Sequence, residues 1–521
     1  MLSLAFTFFF VFSASLQAQP TGRNILFIVV DDMRNWAGYT GDYEGAVHTP
    51  NIDALAAQST RYLNAYATAT HCLGSRTSVL MGMSPPSHGV GHTHNFFTYV
   101  GPVYDAIYDN PAVVSLPEVM TGYYTATTGK VFHYPEPSKW DESGPAPYVQ
   151  YLYNIWLPGP DGTHLYAAEV GDTDLVPDME IADWASSFVT AYDRPEPFFL
   201  SVGFNLPHQP WFVPAWAYNH YPQVFVEVPI TGDMDDEPAL AVELAAMPNF
   251  GPLSIFELVQ NAGKSEEYTR AYLAGITHTD AMIGQVLAAL ANSPHADTTD
   301  IVFWSDNGFQ LGEKEHWMKF TFWESSIRVP LLIKSPKYPP GDVTSPVSLL
   351  DLAPTVLDLA GVAANAQFEG VPLHDAGNRS PVEVFVGPGK ATVDSAGLKL
   401  IDYDTSLAGL GDFAAYSLPL DPKELNNIAS ILDLDGDGVP SGVEISPGIG
   451  TDPFDADTDD DGLDDGEEIN YAPGPDDIYS PGLDTNPLAA DTDGDAHSDG
   501  DEVDAGYDPL LFASFPPAPG C

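Results

Sequence analysis

Cys72 stands four residues before Arg76 in the stretch HCLGSRTSVLMG (71–82), and it is one of only two cysteines in 521 residues. The apolar run that follows predicts a helix starting near Cys72, where exposed backbone N–H groups favour an anion. Arg76 adds a fixed positive charge one turn later. This setting suits nucleophilic attack on a bound anionic ester, while a small buried cysteine is the plainer alternative. Two further pairs, Asp31-Asp32 after NILFIVV and Asp306-Asn307 after DIVFWS, follow the most apolar strand-like runs. Four oxygen-bearing side chains at strand ends select a hard ion, Ca2+ or Mg2+, although such residues also open ordinary turns.

A second constellation lies near the end of the chain. DLDGDGVPSGVE (433–444), DTDDDGLDDGEE (457–468) and DTDGDAHSDGDE (491–502) are three copies of one pattern. Carboxylates fall at positions 1, 3 and 5 and an acid at position 12: Asp433, Asp435, Asp437, Glu444; Asp457, Asp459, Asp461, Glu468; Asp491, Asp493, Asp495, Glu502. That alternation aims successive side chains at one centre, as a Ca2+ ion with six to eight oxygen ligands requires. Gly438 and Gly462 occupy position 6, where the loop turns sharply, but the third copy has Ala496 there. The alternative for this segment is a disordered acidic tail.

The elements that must position these groups are legible from periodicity. NILFIVVDD (24–32), PFFLSVGFN (197–205), DIVFWSDNG (300–308) and VPLLIKSP (329–336) read as buried parallel strands. TPNIDALAAQST (49–60) and residues 268–293 read as amphipathic helices. Strand–helix alternation predicts an α/β doubly wound sheet, whose ligands lie beyond the carboxyl ends of its strands. This main domain is expected over 20–375. A small C-terminal α+β subdomain is expected over 376–430, with strands near 381–387 and 397–404 and a terminal helix at 423–432. The acidic repeats, 431–510, hold too few large apolar residues for a core of their own.

The formal charge of −55, with no Lys or Arg after Lys423, argues against nucleic acid and anionic membranes as partners. Residues 1–18, MLSLAFTFFFVFSASLQA, read as an export signal cleaved near Ala18, so the mature protein is expected to be secreted, periplasmic or at the cell surface. An exported chain can form disulfides. A bridge from Cys72 to Cys521 would tie the last residue to a helix start deep in the main domain.

FIVVDDMRNW, HCLGSR, TTGKVFH (127–133), NLPHQPWFVP (205–214) and SDNGFQLGEKEHWMKFTFWESSIRVPLLI (305–333) together resemble the sulfatases, and among them the iduronate-2-sulfatase subgroup. The likeness runs in order through 23–430. It implies an alkaline-phosphatase-like fold and a sulfuric ester hydrolase acting on a sulfated sugar or polysaccharide. It also implies that Cys72 is oxidised to formylglycine by a formylglycine-generating enzyme. By the same resemblance Asp31, Asp32, Asp306 and Asn307 bind Ca2+ together with residue 72, and Arg76 holds the formylglycine. Lys130 and His133 match positions contacting it, and His208 and Lys319 match groups that grip the sulfate and the leaving oxygen. The family's maturation motif is C-x-P-x-R; here Gly74 takes the place of the proline. Two readings follow, an active enzyme whose CLGSR is accepted for conversion, or a degenerate domain that binds sulfated glycans. A phosphoester or phosphonate hydrolase on the same scaffold is a third. Its two-zinc members need a His after the late strand's Asp, where this chain has Asn307. The acidic copies resemble thrombospondin type 3 calcium repeats more than dockerin modules, which implies a stalk or cell-surface role.

Overall fold

The computed structural model describes residues 22–90, 103, 106–146, 165, 167–172, 176–222, 228, 233–246, 253–374, 381–387, 389–403, 413–444, 449–452, 455–471 and 484–512. The export-signal reading of 1–18 and Cys521 lie outside the described residues. No described helix is long and apolar enough to cross a membrane.

The chain runs β1 (Asn24–Val30), α1 (Pro50–Ala56), β2 (Thr60–Tyr66), α2 (Cys72–Met81), β3 (Tyr124–Gly129), β4 (Glu142–Ser143), α3 (Pro177–Ala191), β5 (Phe198–Phe204), α4 (Ser265–Ala291), β6 (Thr299–Ser305), β7 (Arg328–Lys334), β8 (Gly341–Val343) and α5 (Leu352–Ala360). The strands form one sheet in the order β8-β2-β7-β6-β1-β5-β3-β4. β1 shows why these runs are apolar throughout. Leu26, Ile28 and Val30 enter one core with Ile52, Ile181 and Ile276, while Ile25, Phe27 and Val29 enter the other with Val79, Leu80 and Val356. Both faces are covered by helices, and each such side chain contributes about 1.5–3 kcal/mol of burial.

β6, β1, β5 and β3 are mutually parallel neighbours, so their carboxyl ends share one edge. Asp306 leaves β6, Asp31 leaves β1, Asn205 leaves β5 and Lys130 leaves β3. The site is therefore set by topology before any side chain is placed. β7 corrects the parallel reading: it runs antiparallel to β6 and to β2. An apolar run looks the same in either direction. Direction is set by the connection, and between β6 and β7 the longest helical piece is the single turn Glu324–Ile327, too little for a helical crossover.

β9 (Val382–Val386), β10 (Gly389–Val393), β11 (Leu398–Asp402) and β12 (Phe413–Ser417) form a second, antiparallel sheet. It joins the first where the Phe385 N–H donates to the Thr68 carbonyl at 2.9 Å. The helix expected at 423–432 shrinks to one 3-10 turn, Ala429–Ile431. Glu424 adopts φ 57, which no right-handed helix accommodates. The Asn427 side chain instead accepts from the N–H groups of Ala415 and Ala429, both at 3.0 Å.

Candidate active site and acidic repeats

α2 begins where the sequence predicts. His71 is its N-cap, and its Nδ1 accepts the Gly74 N–H at 3.1 Å. A Cβ on residue 74 would lie 2.8 Å from the His71 ring and 3.0 Å from the Ala69 Cβ. The glycine that departs from the maturation motif thus leaves room for this cap and supplies its donor. Gly74→Ala is expected to lower stability by about 1 kcal/mol. Adding His71→Ala should cost less than the sum of the two changes, because the crowded ring is gone; thermal unfolding of the single and double variants measures this.

Cys72, the first helical residue, is buried 3.7 Å from Lys319 Nζ. Burial pushes its thiol pKa up despite Lys130 and Lys319, so the unmodified side chain stays protonated and weakly nucleophilic at neutral pH. The Arg76 guanidinium reaches Asp306 Oδ2 at 2.6 Å, Asp31 Oδ1 at 3.4 Å and the Val131 carbonyl at 3.1 Å, and also contacts the Lys130 carbonyl. Lys130 pairs with Asp31, and Lys319 with Asp32. Asn307 Nδ2 donates to Asp32 Oδ1 at 2.8 Å, and His208 Nε2 stands 3.6 Å from Asp32 Oδ2. Three carboxylates, Asp31, Asp32 and Asp306, thus face three fixed cations, Arg76, Lys130 and Lys319. Burial alone would raise Asp31, but Lys130, His208 and Arg76 hold it at about 2. At Asp306 burial wins over Arg76 and the pKa rises. His133 is pushed well below the usual imidazole range, by burial first and then by Lys130, Arg76 and Lys319. It is therefore a neutral base near the cationic cluster.

Close backbone approach makes this convergence feasible. Gly129 has φ 74, and a Cβ there would lie 2.0 Å from the Gly203 carbonyl. Only glycine lets the chain turn so that Lys130 N–H bonds the Gly203 carbonyl at 2.9 Å.

Two positioning residues escape a motif-by-motif reading. Asp178, buried on α3, accepts from the Asn205 N–H and side-chain amide (both 2.8 Å) and from the Leu206 N–H (2.9 Å). It fixes the turn that carries His208. His316 Nε2 meets the Lys319 carbonyl at 2.8 Å, and its Nδ1 the Ala245 carbonyl at 3.0 Å. The signal for His316 was its place three residues before Lys319; Asp178 gave none, because it opens a helix where acids are common.

The donor set fits a hard cation. Asp31, Cys72 and Asp306 offer ligand atoms within 4.8 Å of one another. Asp32 Oδ2 and Asn307 Oδ1 are buried and accept no hydrogen bond, an expense that a bound cation would remove.

The sequence profile of the sulfatases matches residues 23–362. The chain belongs to the sulfatase family. Sulfatases are sulfuric ester hydrolases, and the enzyme class follows. A sulfatase of Formosa agariphila is 32% identical, over 69% of this chain and 73% of that one. Human iduronate 2-sulfatase is 27% identical, over 62% of this chain and 60% of its own. A protein solved in complex with its substrate D-glucosamine-2-N,6-O-disulfate shares the fold, with TM-score 0.59 and 22% identity, over 78% of this sulfatase and 93% of that chain. The phosphonate monoester hydrolase of Agrobacterium radiobacter shares it too, with TM-score 0.61 and 18% identity, over 80% and 93%. The fold alone therefore does not separate sulfate from phosphonate chemistry.

The three acidic copies in this sulfatase wind alike. Position 4 is left-handed in each (Gly436 φ 88, Asp460 φ 61, Gly494 φ 79), and so is position 6 (Gly438 φ 99, Gly462 φ 100, Ala496 φ 78). Ala496 therefore does not open the third loop; it adopts the glycine conformation at a cost of about 1 kcal/mol. The N–H at position 6 donates to the first Asp in every copy, at 3.2, 2.8 and 2.8 Å. In each loop the three odd-position carboxylates bring oxygens within 4.8 Å.

Burial and neighbouring carboxylates raise Glu444 to about 8 and Glu468 to about 9, from an ordinary glutamate value of 4.5. A raised folded-state pKa contributes stability that is present below the unfolded value and lost as pH rises through the folded one. In chelator, hydrogen-exchange protection of the three copies, 433–444, 457–468 and 491–502, is expected at about pH 4 and gone by about pH 9, whereas excess Ca2+ should abolish that dependence. Equal protection at both pH values in chelator would contradict it.

Proposed function

We propose that this sulfatase, exported by its N-terminal segment, removes sulfate from a sulfated sugar or polysaccharide. Cys72 becomes formylglycine through a formylglycine-generating enzyme, and Ca2+ is held by Asp31, Asp32, Asp306, Asn307 and residue 72. The observation that carries this is the convergence of the α2 N-terminus, Lys319 and the acidic strand ends on one buried point. Relatives named iduronate 2-sulfatase and N-acetylglucosamine-6-O-sulfatase support a sugar substrate.

When present, the hydrated aldehyde supplies one hydroxyl to attack sulfur and a second to expel the sulfate, and the cation orients and screens these charges. The chain's residues do the rest. Arg76 ties the helix carrying residue 72 to the ends of β1 and β6. Lys130 and Lys319 supply positive charge for sulfate oxygens in an otherwise anionic protein. His208, held by the Asp178-braced turn, serves the leaving oxygen. His133, kept neutral, takes the proton in the elimination. The acidic copies form a calcium-stiffened surface module.

The test is mass spectrometry of the tryptic peptide 62–76 from chain expressed with its native maturation machinery, beside hydrolysis of aryl sulfate, phosphate and phosphonate esters. An aldehyde at residue 72 with preference for sulfate is the expected result. An intact thiol without turnover would leave a glycan-binding protein, and preference for phosphonate would move the reaction to the sister chemistry.

A further inference from the structure

Each acidic copy leads into a short helical turn, and the turns of the second and third copies lie against the loop before them. A Cβ on Gly466 would fall 2.3 Å from the Asp437 carbonyl of the first loop, and one on Gly500 would fall 2.3 Å from the Asp461 carbonyl of the second. The two junctions are equivalent, and both need glycine for the backbones to approach so closely.

The residue before each glycine, Asp465 or Asp499, is carried to the preceding loop by this contact. Asp437, Glu444 and Asp465 offer oxygens within 4.8 Å of one another. Glu444 and Glu468 are fully buried, and their carboxylate oxygens accept no hydrogen bond. A buried carboxylate pointing at other carboxylates with no donor calls for a cation. Asp465 and Asp499 are also anchored in their own copies. Asp465 accepts from Thr458 N–H at 3.0 Å and Thr458 Oγ1 at 2.7 Å, and Asp499 accepts from Thr492 N–H at 2.9 Å and Thr492 Oγ1 at 2.6 Å.

We propose that the cation sites are shared between consecutive copies: Asp465 of the second copy completes the site of the first loop, and Asp499 of the third completes that of the second. This rests on the calcium reading above. The ion in one loop then clamps the next copy in place, so the sites fill together rather than singly. The third loop alone carries a non-glycine, Ala496, in the left-handed conformation at position 6, and that strain makes it the weakest of the three.

Calcium titration of the whole chain by calorimetry tests this, with the D433N/D457N/D491N variant subtracting any ion bound elsewhere. Two tight repeat sites and one weaker one are expected. Asp465→Asn should weaken one tight site roughly 10–100-fold and reduce cooperativity, while the charge-matched change at exposed Glu467, E467Q, leaves both unchanged. In a D433N background the effect of D465N should vanish, which places it on the first loop. Gly466→Ala keeps every carboxylate yet parts the copies, and should weaken the same site; hydrogen exchange at saturating calcium checks that the variants still fold. If the wild type binds calcium in the repeats but D465N and G466A match it, sharing is overturned while the calcium reading stands. If the wild type binds no more calcium than the triple variant, the calcium reading itself falls, and sharing with it.

Discussion

Cys72→Ala is expected to cut sulfate-ester turnover by about 10^4-fold or more while leaving the melting temperature close to wild type. The side chain is small and buried at the very start of α2, and its one hydrogen-bonding contact is the long one to Lys319. Its loss therefore removes the reacting group without disturbing the cap, the guanidinium or the strand ends. Cys72→Ser separates attack from release. Serine offers one hydroxyl, so it could accept sulfate but has no second hydroxyl to expel it. With 4-nitrophenyl sulfate this variant should release at most one equivalent of phenol per chain and then stop, with intact-protein mass showing retained sulfate. Steady turnover by either variant would mean that another residue attacks sulfur.

Arg76→Ala should be the most destabilising single change in the site, by about 3–5 kcal/mol. That is a large part of the roughly 5–15 kcal/mol that keeps a typical domain folded. The guanidinium is fully buried and bridges three strand ends, through Asp306 after β6, Asp31 after β1 and the carbonyls after β3. Truncation takes from Asp306 its closest cation and from the Lys130 and Val131 carbonyls a charged donor. Arg76→Lys keeps the charge but loses the planar fork, and should recover only part of the deficit. Urea unfolding of both variants, followed by tryptophan fluorescence, reports the main domain, because all nine tryptophans precede residue 324. An Arg76→Ala chain within about 1 kcal/mol of wild type would show that water replaces the bridge.

Much of this was legible in the residues. β1, β5 and β6 announce themselves as unbroken apolar runs, and the acids that follow mark the sheet edge where the site forms. Asp31, Asp32, Cys72, Arg76, Lys130, His208, Asp306, Asn307 and Lys319 all come together there. Other features were hidden for physical reasons. β2, TRYLNAY, mixes polar and apolar residues because part of it is only half-buried, so no strand is read there and the helix expected at 49–60 runs into its first residue. β10 and β12 are small-residue strands whose pairing is set by their neighbours. The antiparallel direction of β7 and the left-handed Glu424 that stops a terminal helix depend on tertiary context that no local pattern encodes.

The segment that presents Lys319 has a consequence for how this enzyme can change. Lys314, Glu315, Met318 and Phe320 all adopt positive φ, at 51, 52, 92 and 79°, and each L-residue held there costs about 1–2 kcal/mol. Glycine at 318 would relieve one such position, yet it would also slacken the backbone that fixes the ammonium beside residue 72. Heat resistance and catalytic speed are thus set against each other in a single loop. A search for hardier variants that ignored turnover would gather Met318→Gly early and return a sturdier, slower catalyst.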